Sequence, residues 1–193
     1  MLLGKTFYTS SRNEWRKWLT EHYDSEPEIW LIYYRKDSGK PRLSYDDAVL
    51  EALCFGWIDS TLKRVDDERF AQRFSPRKPT STLSQMNRER IDELIKNKLM
   101  TKTGLQAIAH AYNPNSAHVK FVIPDEILGA LKANPDAWKY FQMMPKTYQR
   151  IRIAYIKSRK RHGLEMYQKS LHHFIKITAQ NKKIGFIKER VNP

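Results

Sequence analysis

The hydrophobic period of this chain changes once, and that change limits the folds open to it. Up to Pro76, aromatic and β-branched runs alternate with segments of helical spacing; from Pro79 the apolar residues keep a helical period as far as Gln180, interrupted between Tyr112 and Pro124. In the first part "KTFYT", "EIWLIYYRK", "WIDSTLKR" and "RFAQRFS" predict strands. Between the first two, Trp15, Trp18, Leu19 and His22 or Tyr23 recur at helical spacing behind Ser11, a good N-cap. Ser44 caps "YDDAVLEALCF", whose acids sit where a helix start favours negative charge, and Gly56 closes that helix. "VDDE" joins the last two strands as a hairpin, and Pro76 ends the second because it cannot donate to a ladder.

From Pro79 the period is helical. Thr82 with Gln85 makes a capping-box pattern ahead of Leu83, Met86, Ile91, Leu94 and Ile95, and a short helix follows Thr101. "YNPNSAHVKFVIP" marks the boundary between parts, and beyond it "DEILGALKA", "PDAWKYFQMM", "KTYQRIRIAYIKSRKR" and "LEMYQKSLHHFIKITAQ" read as helices. The expected fold class is α+β: a small antiparallel or mixed sheet packed with helices over residues 1–115, then an all-helical basic domain over 116–193.

A chain of 193 residues with 40% hydrophobic residues can bury a sizeable core without staples. Cys54 is the only cysteine, which excludes an internal disulfide framework and fits a reducing compartment. No segment reads as a signal peptide or approaches the roughly 20 apolar residues of a membrane span, so a soluble, cytoplasmic protein is expected. The net charge of +14 is unevenly placed: fourteen Lys and Arg face two acids between Lys139 and Pro193, a net +12. Such a field attracts phosphates and anionic surfaces.

The stretch from Ala52 to Asn87 carries the first candidate site. Alternation puts Trp57 and Asp59 on one face of their strand and Arg73 and Ser75 on one face of the next; a buried aspartate needs a cation, and Arg73 is the expected partner. Arg77 and Lys78 then precede a helix start, whose free N–H groups suit an anion. Trp57, Asp59, Arg73, Arg77, Lys78, Ser81, Thr82 and Ser84 are therefore the candidates for a small anionic ligand. Structural readings stand beside this one: an ion pair for Asp59, solvated loop cations, and a core position for Cys54.

The second candidate is a polyanion surface. Tyr148, Ile151 and Tyr155 share one stripe of their helix, while Lys146, Arg150, Lys157 and Arg161, with Lys160 beside them, form a cationic face able to meet nucleic acid or an anionic surface. Its plain counterpart is a solvated basic face. No P-loop, dinucleotide fingerprint, nucleophile elbow or His-x-x-x-His pair is present, and His172 and His173, being adjacent, point about 100° apart on a helix. No cofactor and no metal site are expected. An enzyme acting on a phosphorylated or carboxylated substrate is the third reading, with no catalytic residue assigned.

"EIWLIYYRKDSGKP", "SYDDAVLEALCFGWIDS", "RFSPRK", "NRERIDELIKNKLMTKTGLQAI" and "IPDEILGALKANPDAWKYF" with "YIKSRKR" resemble the YdeI/OmpD-associated family, also labelled bacteriocin-protection proteins. The family pattern has a tryptophan near Leu83 and a Thr-Arg-rich start to the last helix, where this chain has "HGLEMYQ". The resemblance implies a bacterial stress-protection protein, linked with envelope stress, antimicrobial-peptide resistance or association with an envelope protein, and implies no agreed reaction.

Overall fold

The computed structural model describes residues 3–113 and 121–185. The chain separates into two compact units, Met1–Leu83 with Asn87–Ser116, and Ser84–Met86 with Ala117–Pro193. Most of the proposed boundary segment, residues 114–120, lies outside the described residues.

The first unit holds a four-stranded mixed sheet in the order β1-β2-β4-β3, from β1 (Thr6–Tyr8), β2 (Ile29–Tyr34), β3 (Trp57–Arg64) and β4 (Arg69–Pro76). β1 and β2 run parallel, so α1 (Arg12–His22) must carry the chain back between them; the β3–β4 hairpin then pairs antiparallel with β2. Ser11 caps α1 by accepting from the Glu14 N–H, and Ser44 caps α2 (Tyr45–Cys54) through the Asp47 N–H at 3.0 Å. α3 (Gln85–Lys96) and α4 (Lys102–Ile108) follow.

Trp15, Leu19, Ile29, Leu31, Tyr33, Ala48, Leu53, Cys54, Trp57, Phe74 and Ile91 share one core, in which the Trp15 indole donates to the Ala48 carbonyl at 3.0 Å. The turn at Gly56 has φ +75°, which glycine alone adopts without strain, and a Cβ there would meet the Ala107 side chain. Gly104 lets α4 approach α2 so closely that a Cβ would fall on the Cys54 carbonyl, while the Thr101 hydroxyl donates to that same carbonyl at 2.6 Å. Cys54 is a fully buried core residue whose thiol is pushed up chiefly by that burial.

The second unit is helical. It contains α5 (Asp125–Lys132), α6 (Pro135–Met143), α7 (Lys146–Ser158), a 3₁₀ turn (Arg159–His162) and α8 (Leu164–Ala179). Asn134 accepts from the Ala137 N–H at 3.0 Å with Pro135 in the first turn, where its missing N–H costs nothing. Ile127, Leu131, Phe141, Tyr148, Ile156, Tyr167 and Phe174 form the core. The buried Gln149 amide donates to the Phe141 and Met144 carbonyls at 3.0 and 2.8 Å, satisfying acceptors that the end of α6 leaves open.

Candidate functional site

Strand register decides which of the proposed site residues can meet. Trp57 pairs with Pro76 and Asp59 with Phe74, so both β3 side chains lie on the helix-packed face, and the Trp57 indole donates to the Tyr23 carbonyl at 3.1 Å. An irregularity between Asp59 and Leu62 breaks the alternation, so Leu62, and not Thr61 or Lys63, stands opposite Gln72.

Arg73 is one residue out of phase with Phe74 and emerges on the other face. It pairs there with Glu28 at 2.6 Å, donates to the Ser60 hydroxyl at 3.3 Å and does not serve Asp59. The Arg73 guanidinium, and then the Trp30 indole, hold the Glu28 carboxyl below its ordinary value. The expected Asp59–Arg73 pair is thus replaced by a different donor: the Tyr45 hydroxyl, from the first residue of α2, bonds to Asp59 Oδ2 at 2.7 Å. Burial first and this bond second push the Tyr45 hydroxyl up.

Arg77 is the least ordinary of the eight candidates. Its side chain is only 6% exposed, its backbone N–H donates to the Gly56 carbonyl at 2.9 Å, and its Nη1 donates to the Thr82 carbonyl at 3.1 Å. Nε and Nη2 are buried with no hydrogen-bond partner. Burial pulls the guanidinium down from its usual value, and the Asp59 charge offsets part of that pull. Deeper under the same face, the Tyr33 hydroxyl is also buried without a partner, and its titration is raised by burial first, then by Tyr45 and Asp59. A buried guanidinium with two unmet donors is costly, typically by about 1–3 kcal/mol per unsatisfied group.

Among the other loop candidates, Thr82 stands away from the helix start where a cap was expected of it. α3 begins at Gln85, so Thr82 stands three residues ahead of the first helical position and offers its carbonyl to Arg77 in place of a cap. Ser81 donates its N–H to the Lys78 carbonyl, and its own carbonyl accepts from His110 Nε2, both at 2.9 Å. Lys78 and Ser84 are exposed. The structure therefore brings Asp59 and Arg77 into one electrostatic neighbourhood and adds Tyr45 and Tyr33, which sequence reasoning missed. The place of Tyr45 in the first turn of α2, just after the capping Ser44, was legible in the sequence, but its bond to Asp59, 14 positions away, was not.

Also missed was Glu51, 2% exposed, which accepts from Arg12 Nε at 2.5 Å and Arg16 Nη1 at 2.6 Å. This triad joins α1 to α2, and its partners come from positions 35 and 39 residues away, a separation that no local pattern signals.

In the helical unit, Lys146 and Lys157 are exposed, and Arg150 donates to the Thr147 hydroxyl at 3.2 Å. Lys160 is engaged by Glu126 at 2.6 Å and sits 4.6 Å from the Tyr167 ring centroid; Arg161 donates to His162 Nε2 at 3.0 Å. Among the described residues, no group of three or more His, Cys, Asp or Glu could hold a metal ion, and no helix is long and apolar enough to cross a membrane.

Residues 7–107, the sheet and the helices around it, match the model of a domain of unknown function, DUF8412. The chain belongs to that family. The helical part, residues 120–181, matches the family described as Bacteriocin-protection, YdeI or OmpD-Associated, so the YdeI/OmpD-associated resemblance is shown there. "ALCFGWIDS" and "RFSPRK", on which that resemblance also drew, fall within the span of the DUF8412 match. No curated protein matches the chain, and no solved structure matches it.

Proposed function

We propose that the chain is a cytoplasmic stress-protection protein of the binding type, whose DUF8412 unit takes a small anionic ligand at Arg77. One observation carries the reading: a guanidinium 6% exposed with Nε and Nη2 unpartnered. A carboxylate or phosphate oxygen is the acceptor that suits two adjacent N–H groups, because charge-assisted bonds to guanidinium are the strong ones. Asp59 is half-buried and Tyr45 is 40% exposed, which leaves the polar edge of the site open to solvent. The bacteriocin-protection description of the matched C-terminal family supports a protective role, and a free, buried Cys54 fits a reducing compartment.

Thermal-shift titration with phosphate, sulfate and acetate tests the reading. Wild type is expected to gain stability with anion concentration, and Arg77→Ala to lose that gain while Lys78→Ala keeps it. Equal anion stabilisation of wild type and Arg77→Ala would remove Arg77 as the site.

A second reading assigns a polyanion to the helical unit. It is supported by the net +12 from Lys139 onward and by the exposure of Lys146, Lys157 and Arg161. It requires binding that weakens steeply with salt.

A further inference from the structure

Helical periodicity alone assigns Lys146, Arg150, Lys157 and Arg161 to one stripe and Tyr148 and Tyr155 to another, but the geometry interleaves two other arginines with those tyrosines. Tyr148, Arg152, Tyr155 and Arg159 follow one another at spacings of four, three and four, which puts them in a single line along the helix and into the turn after it. The Arg152 Cζ lies 5.6 Å from the Tyr148 ring centroid and 5.7 Å from that of Tyr155, and the Arg159 Cζ lies 5.7 Å from Tyr155. Neither arginine belongs to the cationic face expected from the sequence.

The inner half of this ladder is fixed. Arg152 is 8% exposed and donates through Nη2 to the Ile184 carbonyl, while the Tyr148 hydroxyl accepts from the Ile184 N–H at 2.9 Å. Gly185, at φ +76°, lets the chain pass so close that a Cβ would stand 2.6 Å from that Nη2. The outer half is open at the ring: Tyr155 is 48% exposed, whereas Arg159 is half-buried, with its Nε buried and without a hydrogen-bond partner.

From this arrangement we infer that Tyr155 and Arg159 form a stacking site for single-stranded nucleic acid, with Arg152 as the residue that positions the ring. The inference rests on the second reading above and names the chemistry that the helical unit would recognise. An exposed ring already steadied by two guanidinium groups loses little freedom on binding. Unpaired bases stack on tyrosine rings and on guanidinium planes, whereas the bases of a duplex offer no free face. The Arg159 guanidinium beside the ring adds a second flat face, and Lys157 and Arg161, both exposed close by, add the charge that follows the backbone.

Fluorescence anisotropy with the full chain tests this, using labelled oligothymidylate of about fifteen nucleotides and a duplex of the same length. Tyr155→Leu is expected to weaken single-strand binding about tenfold, the loss of one stacked base, without changing the salt slope. Tyr155→Phe should restore it. Arg159→Gln, as a second variant, should weaken the single strand more than the duplex, whereas Lys157→Gln with Arg161→Gln should flatten the slope for both.

Wild-type binding that Tyr155→Leu leaves unchanged would overturn the stacking site but keep the polyanion reading, and so would equal losses on single strand and duplex. Tyr155-dependent binding confined to vesicles of phosphatidylglycerol and phosphatidylcholine would assign the face to a membrane surface instead. Absence of wild-type binding to either nucleic acid at low salt would overturn both.

Discussion

Arg77 in the first unit and Arg152 in the second are both arginines with less than a tenth of their surface exposed, yet they are accommodated in different ways. Arg152 lies against the Tyr148 and Tyr155 rings and bonds to a backbone carbonyl, so aromatic faces and one acceptor replace much of the water it lost, although its Nε stays buried without a partner. Arg77 has one backbone acceptor, two unmet donors and the charge of an aspartate already engaged by Tyr45. The first unit does complete a buried charge elsewhere, at Glu51, by giving it two arginines. The contrast teaches that burial of an arginine in this chain is compensated to different degrees, least at Arg77. Among the described residues Arg77 is the guanidinium with two unmet donors, whereas Arg152 and Arg159 each keep one buried, unpartnered Nε.

The largest expected effect strikes the satisfied member of the set. Glu51→Ala leaves Arg12 and Arg16 facing an emptied core position, and urea denaturation should show a loss of about 3 kcal/mol. A loss under about 1 kcal/mol would mean that the two arginines, each about a third exposed, find water without difficulty.

Replacing each buried arginine by methionine sharpens the comparison directly. Arg77→Met keeps the side-chain length and removes an unpaired buried charge, so without added anion it should be neutral or raise stability by about 1–3 kcal/mol. Arg152→Met gives up the ring contacts and the bond to Ile184 and should cost about 1–2 kcal/mol. Urea titrations of the two variants in phosphate-free buffer read both signs; destabilisation by Arg77→Met would show that Arg77 is a structural element completed by its surroundings.

The smallest expected effect is a pH dependence that the two units share. The Tyr112 hydroxyl, bonded to Asp92, is pushed up to about 12 by burial and then by that carboxylate; the Tyr167 hydroxyl, beside Glu126, is pushed up to about 12 for the same reasons. Each folded value lies above the ordinary value of 10.0, so the contribution is fully present below pH 10 and is lost as pH rises toward 12. Tyr112→Phe and Tyr167→Phe should each flatten the fall in stability between those pH values, measured by thermal melts in a pH series.

Local patterns in the sequence determined most of the architecture. The aromatic and β-branched runs in "EIWLIYYRK" and "WIDSTLKR", the caps at Ser11, Ser44 and Asn134, and the left-handed turn at Gly56 each act within a few residues, and the structure carries all of them. Arg77 was visible as a cation in a loop, and Asp59 as an acid beside an indole. Tertiary structure decided what those residues do. A one-residue phase difference sent Arg73 to the opposite face and Glu28, an irregularity in β3 shifted the residues after Asp59, and α2 brought in Tyr45 from 14 positions away. Two unpartnered donors on one buried guanidinium, the property that singles out Arg77 among the described residues, are invisible in any window of sequence, because they depend on which distant groups arrive and which do not. The same holds for the ladder on α7: helical spacing lines up Tyr148, Arg152, Tyr155 and Arg159, but the chain at Ile184, 32 residues beyond Arg152, is what pins the inner arginine, while the Tyr155 ring stays exposed.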